Sequence, residues 1–369
     1  MMQTVGIVGL GTMGLGIAQV FAQAGFATIA TDAHAPARTS APARMEQALT
    51  DRVTAGKLTA AARDATLSKL TVVESLTALA PCALVIEAIV ERLDAKQALF
   101  AALESILTPD AVLATNTSSI PVSTIASTAQ HRGRVLALHF FNPPTAMKLV
   151  ELAPHAGTNT DALTLARQLT EAAGKTVIQC PDRPGFIVNR CARPYYGEAL
   201  ALLAEGHIAA QIDAAMMAQG YRLGPFALID LIGADINLAA TEGLSAAMAN
   251  HPRYHVFDAL RAQVASGHLG RKTGQGFLHP ALVQPAANPA IALRIEATLI
   301  NEAAWLLAEG GTTPAGIDTA MKLGLNFPRG PFEALAQYGK PAILATLSAL
   351  ATANPGLSPR YAPAPYLTE

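Results

Sequence analysis

Apolar residues fall into two regimes along the chain. Short runs alternate with helical stripes as far as residue 181, and helical stripes stand alone beyond it. Residues 4–9 (TVGIVG) read as a buried strand. Apolar positions then recur at helical spacing through Ile17, Val20, Phe21 and Ala24, until Gly25 ends the stripe. Further strands are predicted over 27–31, 84–86, 111–115, 136–139, 147–150 and 176–179. Helices are predicted between Ala33 and Ala80, through Lys96, Leu99, Phe100 and Leu103, after Pro121, and over 161–173. Asn142, Pro143 and Pro144 make a rigid turn between the 136–139 and 147–150 arms, since both prolines fix φ and neither can donate to a ladder. Pro181 and Pro184 mark a linker near Asp182.

The helical part repeats itself. EALALLAEG at 198–206 recurs as EAAWLLAEG at 302–310, Ile212-Asp213 as Ile317-Asp318, and Gly224-Pro225-Phe226 as Gly330-Pro331-Phe332, with offsets of 104 to 106 residues. Three markers in one order indicate a tandem duplication. The expected domains are an α/β domain over 1–181, a helical domain over 182–284 and its duplicate over 285–369, the copies tethered by the proline-rich stretch 280–289. Leu293 stands in the second copy where the first has Asn189, so the second copy is expected to be structural.

Composition then narrows the partners. Hydrophobic residues make up 51% of the 369, much of it alanine, but no run of eighteen lacks polar or glycine interruption, so no membrane span is expected. A net charge of −1 argues against nucleic acid or an anionic membrane as partner. No Lys or Arg precedes Arg38, so the basic start of a signal peptide is missing. Cys82, Cys180 and Cys191 show no CxxC spacing, which suggests neither disulfides nor a metal site and makes reduced thiols in the cytoplasm the default.

Two constellations carry chemistry. GLGTMG (9–14) follows one strand and opens a helix, and the next strand ends on Asp32, eighteen residues past Gly14. Strand, glycine turn, helix, strand and acid together form a dinucleotide fingerprint. Gly9 permits the tight turn, Gly11 lets the backbone approach a pyrophosphate at the helix start (Thr12, Met13), and Gly14 allows close helix–strand packing. Asp32 is placed to accept ribose hydroxyls and would repel a 2′-phosphate, which favours NAD over NADP. The fold class expected is therefore an α/β Rossmann-type dinucleotide-binding domain followed by two tandem all-α domains. The second constellation is LALHFFNPPTAMKLVE (136–151), whose two arms can bring His139 to Glu151. A carboxylate partner fixes an imidazole's tautomer and favours its protonated form, as a general base needs. Asn116-Thr117-Ser118-Ser119 ends a strand at the sheet edge where ligands bind, or caps the helix after Pro121.

GLGTMG with Asp32, VIEAIVE (85–91), NTSS (116–119), HFFNP (139–143), MKLVE (147–151) and PGFIVNR (184–190) together resemble the L-3-hydroxyacyl-CoA dehydrogenases. The duplicated helical domain resembles the dehydrogenase part of multifunctional fatty-acid oxidation proteins. The resemblance implies NAD-dependent oxidation of an (S)-3-hydroxyacyl-CoA substrate in fatty-acid or related acyl-CoA metabolism. It makes His139 the general base, Glu151 its orienting carboxylate, and Ser118 and Asn189 hydrogen-bond partners of the substrate. Toward the cofactor it adds Glu91, Lys96, Ser118, Asn142 and Lys272 to Met13 and Asp32, and Lys57 is a candidate for the CoA phosphates. Single-copy members pair through the helical domain. A short tether gives a high effective concentration, so here the two copies are expected to pair within the chain, with Trp305, Leu306 and Leu307 in or near the contact. The protein is then a monomer or, through another surface, a homodimer. Hydroxyisobutyrate and 6-phosphogluconate dehydrogenases share the glycine turn but use a lysine, against which HFFNP and MKLVE speak. A gulonate dehydrogenase or crystallin type is opposed by HFFNP and PGFIVN, and a non-catalytic nucleotide-binding protein by the intact Ser118, His139, Glu151 and Asn189.

Overall fold

Strand and helix signals resolve into two compact units, Met1–Arg183 and Pro184–Glu369, in a computed structural model that describes residues 3–280 and 285–369. The first unit is one sheet of β1 (Thr4–Val8), β2 (Thr28–Thr31), β3 (Leu70–Val72), β4 (Cys82–Glu87), β5 (Val112–Thr115), β6 (Val135–Phe140), β7 (Leu149–Pro154) and β8 (Thr176–Gln179). Their spatial order is β3-β2-β1-β4-β5-β6-β7-β8, parallel except for the antiparallel β6–β7 pair. Between the strands run α1 (Thr12–Gln23), α2 (Ala35–Thr54), α3 (Ala60–Leu67), α4 (Leu93–Glu104), α5 (Val122–Ala126) and α6 (Thr160–Ala172). The inner strands are buried on both faces, which is why Val5, Ile7, Leu84, Ile86, Val112, Leu136 and Leu138 read as apolar runs without alternation. After β3 the chain crosses back to β4 on the other side of β1, and the crevice at the carboxyl ends of β1 and β4 is the place where such sheets bind ligands.

One strand escaped the sequence pattern. Leu70–Val72 was expected within a helical stretch but pairs in parallel with β2. It is three residues long and only partly buried, so edge position replaces apolar patterning as its determinant.

The second unit holds α7 (Val188–Cys191), α8 (Arg193–Ala204), α9 (Ala209–Ala218), α10 (Pro225–Ile232), α11 (Ala234–Ala247), α12 (Asp258–Ala265), α13 (Pro289–Ala308), α14 (Pro314–Leu325), α15 (Pro331–Tyr338), α16 (Lys340–Ala353) and α17 (Pro365–Thr368). Each repeat marker performs the same task in both copies. Asp213 accepts the backbone N–H groups of Phe226 and Ala227 at 2.9 and 2.8 Å, and Asp318 accepts those of Phe332 and Glu333 at 2.8 and 3.1 Å. A Cβ on Gly224 or Gly330 would lie 2.2 Å from the respective aspartate, so glycine is required for the acid to reach the helix start.

The copies bury reciprocal ion pairs against each other. Arg190 binds Glu302 at 2.7 Å and Glu309 at 2.8 Å, while its repeat mate Arg294 binds Glu198 at 2.7 Å and Glu205 at 2.6 Å. Arg253 and Tyr254 close on Glu302 at 3.0 and 2.6 Å, and Arg360 and Tyr361 on Glu198 at 3.2 Å each. Residue i of one copy touching j of the other, with j touching i, is the signature of a two-fold isologous contact. The expected intrachain pairing is thus present. Trp305 lies half-buried beneath the Arg253 guanidinium at 4.7 Å, Leu306 is fully buried and Leu307 partly so. The expected boundary at residue 284 falls outside the described residues.

Candidate functional site

The glycine turn has the shape its sequence demands. Gly9 adopts φ +100, and a Cβ there would sit 2.5 Å from the Ala88 carbonyl oxygen. A Cβ on Gly14 would fall 1.8 Å from the Gly9 oxygen, while one on Gly11 would meet nothing within 4 Å. The backbone at Gly11 therefore faces open space, and α1 begins there with no side-chain cap, leaving its first N–H groups to an anion. Thr12 and Met13 form the first turn of this helix.

Asp32 follows β2 directly and is locked in place: Leu10 N–H donates to Oδ2 at 2.7 Å and His34 N–H to Oδ1 at 2.8 Å. Asp32 and Gly11 line a cavity of about 640 Å³ whose other walls include Leu76, Ala88, Ile89, Val90 and Leu99. Open backbone for a pyrophosphate, a fixed carboxylate for ribose hydroxyls and an apolar slot for a purine fit a dinucleotide.

His139 and Glu151 face each other across the antiparallel β6–β7 register. Nδ1 of His139 meets Oε2 of Glu151 at 2.7 Å; the histidine is 7% exposed and the glutamate wholly buried. An ionised carboxylate only accepts, so Nδ1 carries the proton and Nε2 is the basic atom. Asn142 lies exposed in the turn beyond β6. Pro144 of that turn packs on α1, where a Cβ on Gly16 would come within 3.0 Å of it. Lys175 anchors the turn from behind, its ammonium donating to the carbonyls of Pro144 and Met147 at 2.5 and 2.8 Å. Neither Lys175 nor Asp182, which caps α5 through Val122 and Ser123 N–H groups at 2.7 and 2.8 Å, stood out in the sequence. A lone lysine and a lone aspartate carry no spacing signal.

The 116–119 loop is built around Glu91. Its Oε1 accepts from the hydroxyls of Thr117 and Ser119 and from Ser118 N–H, while Lys96 pairs with Oε2 at 3.1 Å. Lys96 is 1% exposed and also bound to Glu87. Burial pushes the Glu87 carboxyl up, against the pull of Lys96 and Thr115. Glu91 and Lys96, expected at the cofactor, thus hold the loop that presents Ser118; the Ser118 hydroxyl itself has no hydrogen-bond partner among the described residues. Asn116 Oδ1 accepts Phe140 N–H at 2.8 Å and ties this loop to β6 beside His139. Lys57 is exposed in the turn after α2. In the helical unit, Asn189 lies on α7, and Lys272 donates to Asp235 at 2.5 Å. Among the described residues no cluster of His, Cys, Asp or Glu is arranged to hold a metal, and no helix is long and apolar enough to cross a membrane.

Residues 4–183 match the model of the 3-hydroxyacyl-CoA dehydrogenase NAD binding domain, and 185–279 and 291–369 match that of the C-terminal domain of the same enzymes. The chain is 44% identical over 276 residues to 3-hydroxyadipyl-CoA dehydrogenase of Escherichia coli K12, covering 74% of this chain and 58% of that protein. It thus spans about three fifths of that relative's length. A 3-hydroxybutyryl-CoA dehydrogenase of Mycobacterium tuberculosis is 38% identical, with 74% of this chain and 97% of that one covered. The crystal structure of 3-hydroxybutyryl-CoA dehydrogenase from Escherichia coli K12 superposes with a TM-score of 0.93 over 100% of this chain and 98% of that chain, at 33% identity.

Proposed function

The chain belongs to the 3-hydroxyacyl-CoA dehydrogenase family, and from that premise we propose that it interconverts (S)-3-hydroxyacyl-CoA and 3-oxoacyl-CoA with NAD. The observation that carries this reading is the His139–Glu151 pair, 2.7 Å apart and buried beside the 116–119 loop. NAD, held by Gly9, Gly11, Thr12, Met13, Gly14 and Asp32, supplies the hydride acceptor when bound. Nε2 of His139 takes the proton of the substrate's 3-hydroxyl. Glu151 keeps the imidazole in the tautomer that can do so and stabilises the imidazolium that results. Ser118 donates a hydrogen bond to the same oxygen, and Asn189 is the substrate-binding amide of the helical unit.

Glu91, Lys96, Ser118, Asn142 and Lys272 complete the cofactor contacts, and Lys57 is a contact to the CoA phosphates. The sequence modules are 1–181, 182–284 and 285–369. Intrachain pairing of the helical copies supports a monomer, and buried cysteines without CxxC spacing support a reducing, cytoplasmic setting. The direct test is NADH consumption with acetoacetyl-CoA. Saturable turnover is expected; NADH binding without turnover of any 3-oxoacyl-CoA would reject the reading.

A further inference from the structure

The turn that joins β6 to β7 connects the groups which the first unit brings to the proposed reaction. At its start the Phe141 ring lies against the His139 imidazole, their centroids 4.6 Å apart. Asn142 comes next, exposed, and Pro144 is buried on α1 against Gly16. The far end leads into β7, whose third residue is Glu151. The turn's own hydrogen bonds are few: the N–H groups of Ala146 and Met147 both donate to the Pro143 carbonyl at 3.0 Å. Pro143 and Pro144 have no N–H to give, and among the described residues no backbone N–H reaches the carbonyls of Pro144 and Met147.

Lys175, the residue before β8, answers both carbonyls. Its ammonium donates to Pro144 at 2.5 Å and to Met147 at 2.8 Å. Thr176 N–H donates to the Lys148 carbonyl at 2.8 Å, and Thr176 pairs with Leu149 in the parallel β7–β8 register, so the lysine stem starts beside the end of the turn. Lys175 is half-buried, and among the described residues no Asp or Glu pairs with it. Burial pushes its pKa down. A cation withdrawn from water without an anion is costly, and a methionine would fill much the same space without that cost. What the ammonium supplies in return is directional: two of its donors hold carbonyls that nothing else holds.

We propose that Lys175 is a positioning residue for hydride transfer: by fixing the 142–148 turn it keeps Phe141 against His139 and sets Asn142 for the cofactor. The assignment rests on the reading above, in which His139 is the base and Asn142 a cofactor contact. The Glu151 hydrogen bond fixes one atom of the imidazole, and Phe141 fixes the tilt of its plane. Without the ammonium, the Pro144 and Met147 carbonyls turn to water, and Phe141 and Asn142 shift with the short segment they share. A displacement of the order of 1 Å at reacting groups costs up to about a hundredfold in rate.

The test uses Lys175→Met, which keeps the length of the stem and removes its donors, and Lys175→Arg, which restores donors. Three quantities are read: NADH affinity by fluorescence titration, kcat and KM with acetoacetyl-CoA, and the rate of NADH oxidation in a single turnover. The last counts only molecules that have bound NADH, so a loss of folded protein does not move it. Lys175→Met should slow the single turnover and kcat by about tenfold or more and weaken NADH several-fold, with KM for acetoacetyl-CoA little changed. Lys175→Arg should recover most of both losses. If Lys175→Met folds poorly, Lys175→Gln, whose amide donates without charge, should fall between it and the wild type. Wild-type single-turnover rate and NADH affinity in Lys175→Met, whatever its melting temperature, would make the lysine a support of stability alone and overturn the proposal. Absence of turnover in the wild type would reject the dehydrogenase reading instead, and the NADH affinity of Lys175→Met would then decide the positioning role by itself.

Discussion

At the scale of single residues, His139 and Glu151 are the groups whose chemistry is most exposed to test. His139→Gln should reduce kcat by about 10²–10⁴-fold with NADH affinity nearly unchanged, because the imidazole acts in proton transfer. Glu151→Gln should also be severe, since the amide that replaces the carboxylate 2.7 Å from Nδ1 has no charge to stabilise the imidazolium. Retention of more than about a tenth of wild-type kcat by His139→Gln would remove the general base from the scheme. Asp32, pinned by Leu10 and His34 N–H groups, leads to a second expectation: kcat/KM should favour NADH over NADPH by at least ~10-fold, about 1.4 kcal/mol. Equal use of both cofactors would show that the carboxylate does not meet the ribose. Glycines, the His–Glu pair and Asp32 were legible in the sequence because each sits in a local pattern. Lys175 was not, since the carbonyls it clamps are assembled only when β8 docks beside β7.

At the scale of elements, the twin caps of α10 and α15 explain two of the repeat markers. Asp213→Ala and Asp318→Ala should each lower stability by about 1–2 kcal/mol, the usual cost of losing a helix cap, measured by denaturant unfolding. Burial pushes the Asp213 carboxyl up to about 7, against the two N–H donors that pull it down. Because the folded value exceeds that of an unfolded aspartate, this group's contribution is full in acid and is lost as pH rises through about 7. Asp213→Asn should flatten the wild-type fall in stability between about pH 4 and 7; an unchanged profile would mean that the carboxyl titrates normally. Pro252-Arg253-Tyr254 and Pro359-Arg360-Tyr361, at an offset of 107 residues, are a further repeat marker visible in the sequence. Their importance appears only when Arg and Tyr of one copy converge on the glutamate of the other.

At the scale of the whole chain, the contact between the helical copies rests on buried charges. Glu198 and Glu302 are at most 1% exposed, and each serves two arginines and a tyrosine. Glu302→Leu should destabilise the helical unit by about 3–5 kcal/mol, as expected when one partner of a buried pair is left alone. Deleting 285–369 would strand Arg190 and Glu198 without partners. The remaining chain should aggregate or form a new dimer by light scattering. A soluble, fully active monomer would mean that the second copy does not stand in for a partner subunit.

Periodicity, glycine spacing and repeat offsets determined the α/β-then-helical order, the nucleotide turn, the His–Glu pair and the duplication, because these depend on residues near one another in sequence. Tertiary structure alone decided the rest. Leu70–Val72 became a strand because the edge of β2 was available to it. Lys96 turned inward because the buried Glu87 needs a cation, and it reaches the more exposed Glu91 that holds the 116–119 loop. Arg190, Glu198, Arg294 and Glu302 look like ordinary charges on amphipathic helices until the two-fold packing removes them from water. Once desolvated, each must find its opposite, and the pairing that results runs across about a hundred residues that no local pattern connects.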